Sequence, residues 1–155
     1  MARLTGNCSI NATALVAATA QTMIQMVAPT NQRGAVNGVK VSFDGTNSAN
    51  TPATVKVARN TTAGTASNTA VAPIKRNEPN GVSETLQFTY QTVFTVEPTL
   101  GVIVDTFLLA VFGGTFAQAY APYSSEIMIP GGTRLGFQVT AAQVVNTSVS
   151  VDYEE

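Results

Sequence analysis

The sequence has no histidine and no tryptophan, a single cysteine, and charged side chains at only 11% of its 155 positions. Without histidine, the side chain most often used as general base, metal ligand and pH switch is missing. Cys8 has no second cysteine to pair with, and no cation beside it would make it a reactive thiolate, so it reads as a plain free thiol. Eight Lys and Arg against nine Asp and Glu give a net charge of −1. With no basic stripe to neutralise phosphates, direct nucleic-acid binding is not expected. No run approaches the roughly 18 apolar residues of a membrane helix, the longest being the six residues 107–112. The first residues turn polar at once and lack a signal peptide's apolar core, so synthesis in a cytoplasm is expected.

Chemical motifs are missing as well. There is no Walker loop, no dinucleotide-binding glycine pattern and no Cys-x-x-Cys. The carboxylates of the strand-rich half, Glu84, Glu97, Asp105 and Glu126, share no short motif, so the sequence points to no catalytic residues, no cofactor, no metal and no enzyme. Asp105 sits in an apolar strand where desolvation would raise its pKa, and it reads as a strand-end or interface carboxylate paired with a cation such as Arg134. Asp44-Gly45-Thr46-Asn47 is the one loop loosely suited to calcium, and it reads as an ordinary turn. Carbohydrate-binding sandwiches usually present aromatic platforms, for which Tyr120 and Tyr123 are the surface candidates.

What the chain does have is 22 threonines and 19 valines, β-branched residues that fit a pleated surface. Over residues 85–96, Leu86, Phe88, Tyr90, Phe94 and Val96 alternate with polar residues, which predicts one long half-buried strand. Val39, Val41 and Phe43 alternate likewise, as do Val55 and Val57, and the two runs read as a pair joined by residues 45–52. Leu135, Phe137 and Val139, then Val145 to Tyr153, repeat the period. Residues 60–81 read as a long connection anchored by Val71 and Ile74, with room for one short strand. With Gly, Pro and Asn at the breaks and no helical period, the fold class is all-β: a single antiparallel β-sandwich or jelly roll of about eight to ten strands. Residues 1–20 form an extended N-terminal arm or a first strand, and 21–155 the sandwich domain. A chain of this length buries roughly 68–70% of its unfolded surface without staples.

The segment 101–112 breaks the alternation. Its apolar run places side chains on both faces, so one face needs cover beyond the usual core. Phe107, Leu108, Leu109, Val111 and Phe112, with Phe116, are therefore the candidate subunit interface. A net charge near zero is awkward for a free monomer and harmless inside an assembly.

Several short runs occur in an order that resembles small β-rich proteins of tailed bacteriophages and prophages, encoded near the capsid genes. They are Phe43-Asp44-Gly45-Thr46, Thr62-Ala63-Gly64-Thr65, Glu84-Thr85-Leu86-Gln87, Thr95-Val96-Glu97-Pro98-Thr99 and Ile129-Pro130-Gly131-Gly132, then Arg134 and the ending Tyr153-Glu154-Glu155. The resemblance implies a virion structural protein of the capsid decoration, or cement, type. It implies a homotrimer on the outer surface of a phage head that clamps the major capsid protein against the pressure of packaged DNA. On that reading the N-terminal segment, with Arg3, Leu4, Asn7 and Ile10, is the arm that contacts the capsid. The alternative is a tail or fibre β-sandwich module that binds a receptor or glycan.

Overall fold

The computed structural model describes residues 4–45, 51–76 and 85–155. Among them there is no helix. The strands are β1 (Thr5–Ala14), β2 (Ala20–Val27), β3 (Gly34–Phe43), β4 (Ala53–Asn60), β5 (Thr65–Ala66), β6 (Ile74–Lys75), β7 (Thr89–Gln91), β8 (Phe94–Val96), β9 (Leu100–Leu109), β10 (Gly114–Ala119), β11 (Ile127–Ile129), β12 (Arg134–Thr140) and β13 (Asn146–Glu154). Every pairing is antiparallel. One sheet has the order β10-β3-β13-β1-β6, with β11 also on β3, and the other β7-β2-β12-β4-β9. β5 and β8 form a small third piece.

β13 illustrates why these sequences become strands and why the sheets stack. Thr147, Val149, Val151 and Tyr153 are buried while the residues between them are half-buried, the period of a strand with one apolar face. That face, with Cys8, Val39 and Val41, meets Val55, Val57, Leu135, Phe137 and Val139 of the other sheet in one continuous core. The protein is a β-sandwich. On its outer face, Asp152 accepts a hydrogen bond from Asn7 Nδ2 at 2.8 Å and pairs with Arg76 at 2.9 Å and Lys40 at 3.8 Å.

β2 and β12 are buried on both faces. Their outer side is covered by the segments that carry β5 and β8. Thr22 N–H donates to Glu97 Oε2 at 2.7 Å, and Gln25 Nε2 donates to the Thr62 carbonyl at 3.2 Å. Gly136 leaves the space above the sheet that the Asn60 amide fills; a Cβ there would collide with it.

One alternative left open by the sequence is decided, and two sequence expectations change. Of the two readings of the N-terminal segment, arm or first strand, the structure has the strand: it is paired with β13 from Thr5↔Glu154 to Ala14↔Asn146, with a bulge at Ala12, where φ is +43°. Leu4, Cys8 and Leu15 are core residues, which no free arm allows. The alternating stretch 85–96 is two strands. Val93, at φ +55°, turns the chain between β7 and β8, so Leu86, Phe88 and Tyr90 enter the core while Phe94 is half-buried and Val96 is exposed. Finally, β3 and β4 lie in opposite sheets instead of pairing, because their apolar faces meet across the core. In the 60–81 connection, the Val71 and Ile74 side chains are exposed, and the two residues anchor the chain through their backbones: Val71 exchanges two hydrogen bonds with Tyr90 at 2.9 Å, and Ile74 pairs with Asn7 of β1.

Burial and the negative charges of Asp152 and Glu155 push the Cys8 thiol far above its usual pKa. A disulfide reagent added to the native protein should therefore release no chromophore, and one equivalent per chain on addition of denaturant. Full reaction under native conditions would show that β1 detaches.

Candidate interaction surface

Among the described residues β9 is the last strand of its sheet and pairs only with β4. Opposite Ala53, Val55 and Val57, which face the core, stand Leu109, Phe107 and Asp105. The register then slips twice, between Val57 and Ala58 and between Ala58 and Asn60, so β9 carries extra residues. A bulge breaks the in–out alternation. Its consequence is that Val102, Ile103 and Val104, three consecutive residues, are all exposed, at 68%, 47% and 41%. Leu108, on the outward register, is 69% exposed, and Phe112, in the turn after the strand, 54%. These five large apolar side chains fall within eleven residues of one edge strand and the turn after it, a strip along the chain where exposed apolar surface is concentrated, as at interaction sites.

The inner side of β9 faces β10. The Phe107 and Phe116 rings lie 5.0 Å apart at 46°, with Phe116 placed opposite Val41 on β3. Further along, Tyr120 O–H donates to Asp105 Oδ2 at 2.9 Å, and Thr106 N–H donates to Asp105 Oδ1 at 2.8 Å. Asp105 is thus held by Tyr120 and not by Arg134, which lies on β12 opposite Val27 and Asn60. Burial and the bonded carboxylate push the Tyr120 hydroxyl above its usual pKa. Between the two strands the sandwich is open. A cleft of about 280 Å³ is lined by Phe43, Leu108, Leu109 and Phe116, and one of about 630 Å³ by Arg59, Asp105, Tyr120 and Glu126.

The six residues assigned to a subunit interface therefore divide. Leu108 and Phe112 are exposed, and Phe107 and Phe116 are half-buried against the core. Leu109 and Val111 belong to the core and are not available to a partner. The exposed group that the sequence reading passed over is Val102, Ile103 and Val104; three β-branched apolar residues in succession were its signal.

The N-terminal candidates fare differently. Arg3 lies outside the described residues. Leu4 is buried, and Ile10 is packed against the core. Asn7 spends its Nδ2 on Ser150 Oγ at 2.8 Å, the Val151 carbonyl at 3.2 Å and Asp152 Oδ1 at 2.8 Å. Asn7 thus helps to hold β1 to β13, and Asn7 and Ile10 stay half-buried on a strand of the sheet.

Of the two tyrosines expected at the surface, Tyr120 is buried instead, and Tyr123 is exposed, at a loop position with φ +63°. Tyr123 borders a cleft of about 520 Å³ with Arg33, Glu126, Glu154 and Glu155. Glu155 accepts the Gln87 N–H at 2.7 Å and the Phe88 N–H at 3.2 Å. Its carboxyl pKa is raised by burial, an effect these two bonds oppose. Glu84 and part of the 44–47 loop lie outside the described residues. Among the described residues no three acidic, histidine or cysteine side chains gather where they could hold a metal ion. Among the described residues no helix is long and apolar enough to cross a membrane. No protein-family model matches the chain, and no curated protein matches it in sequence.

Proposed function

We propose that the protein is a structural component of a virus particle, a decoration protein that binds the outer surface of a phage head and works by adhesion. The observation that carries a role in an assembly is the exposed apolar strip of β9 and its following turn, where Val102, Leu108 and Phe112 stand in water on an isolated chain. Fully burying one such side chain is worth roughly 1.5–3 kcal/mol, so contact along the strip favours association strongly. The phage head as the place of assembly rests on the run of short motifs from Phe43 to Glu155. The low charge supports this reading, because copies of a chain with net charge −1 crowd on a surface with little mutual repulsion.

A second reading, a tail or fibre module that binds glycans, is favoured by one feature. Tyr123 is 80% exposed beside a cleft lined by Arg33 and Glu126, as an aromatic platform for a sugar would be.

The test mixes purified protein with capsids that lack it, pellets the particles and counts bound copies by densitometry. Saturable binding at many copies per head is expected. No binding to heads, together with binding to cells or glycans, would overturn the decoration reading in favour of the second.

A further inference from the structure

We infer that the open flank of the sandwich is covered by a second copy of the same chain, related by a twofold axis that runs between the two sheets, parallel to the strands. β9 of each copy then lies beside β10 of the other. The inference rests on the assembly role proposed above and names the partner of that surface.

Each main sheet ends on this flank in an edge strand, β9 in one and β10 in the other. Among the described residues the opposite flank ends in shorter strands. β6 has two residues, and β7 has three, extended by a bridge from Tyr90 to Val71. An unprotected edge is a template for another strand. The two edges here match in length: beyond its bulges β9 is regular from Asp105 to Leu109, and β10 runs without a bulge from Gly114 to Ala119. They also match in direction. The contacts Phe107–Phe116 and Tyr120–Asp105 show that β9 and β10 run oppositely within one chain. An axis parallel to both preserves each direction, so β9 meets the other copy's β10 antiparallel, as in every other pairing of the molecule. The twofold makes both contacts at once.

Charge agrees with this occupant. β10 carries no charged side chain, and the one charge of β9, Asp105, is turned inward to Tyr120. Two copies therefore meet without opposing like charges, whereas a charged partner would leave Leu108 and Phe112 uncompensated. The result is a dimer, in place of the trimer that the sequence resemblance implies.

The experiment combines solution mass with disulfide trapping. Cys8 is buried, so introduced cysteines report alone. Light scattering of the intact protein is expected to give twice the 16.1 kDa chain mass, falling to the chain mass in Leu108→Lys. Leu108→Cys chains, mixed in turn with Thr115→Cys, Ala117→Cys or Ala119→Cys chains, are expected to form a mixed disulfide in at least one combination. A monomer at every concentration, a trimer, a dimer unaffected by Leu108→Lys, or trapping of Leu108→Cys only with itself would each overturn the twofold flank. A dimer that ignores capsids would refute the decoration reading alone. A monomer that saturates capsids would refute this inference alone.

Discussion

A chain that begins at Gln21 is expected to lose the native fold: no cooperative urea or thermal transition, and loss of the near-ultraviolet signal of the buried tyrosines. The segment removed contains β1, which lies between β13 and β6, so its loss strips pairing from both. It also removes Leu4, Cys8 and Leu15 from the core. Truncating a buried leucine to alanine costs about 2–5 kcal/mol, so losing both leucines costs about 4–10 kcal/mol against a total stability of about 5–15 kcal/mol. The broken ladder adds further loss, since the buried N–H and C=O groups of β13 would face water or nothing. A truncated protein with a two-state transition close to that of the full chain would mean that the segment is a dispensable arm and not a strand of the sheet.

Phe88→Ala is expected to cost about 3–5 kcal/mol, the range for deleting a buried aromatic ring. Phe88 is fully buried and packs on Tyr153 at 5.2 Å, joining the segment before β7 to the innermost strand of the other sheet. Gly34 lies beneath it; a Cβ there would press on the ring. Glu155 fixes the backbone of the same residue through its N–H, so the surrounding structure has little freedom to collapse into the gap. With a urea m-value of about 1–3 kcal/mol/M, the midpoint should fall by at least about 1 M. Val96→Ala is the control. The unbroken alternation of 85–96 puts Val96 on the same face as Phe88, yet it is 60% exposed beyond the turn at Val93 and should change stability by less than about 0.5 kcal/mol. Equal losses in the two variants would restore the single strand.

These experiments separate what is local from what is not. Period-two alternation is written into neighbouring residues, so β3, β4, β12 and β13 could be read directly, and with them the all-β class and the sandwich. The surplus of apolar side chains near residue 107 was legible for the same reason: a strand with two apolar faces needs two covers. What alternation does not encode is the partner of a strand or the residue at which it turns. Val93 takes a left-handed conformation that nothing in its residue type demands, and it ends the core face two residues before Thr95.

By itself, the sequence determined that this protein is built of strands, with little charge, no histidine and more apolar strand surface than one core absorbs. Tertiary structure decided where that surplus is placed. Pairing joins residues as far apart as Thr5 and Glu154 and makes the first strand part of a sheet. It leaves β9 at an edge, where two register slips turn Val102, Ile103 and Val104 outward and send Leu109 into the core. Side-chain period fixes which residues can share a face, and only the closure of the sheets fixes whether that face is covered.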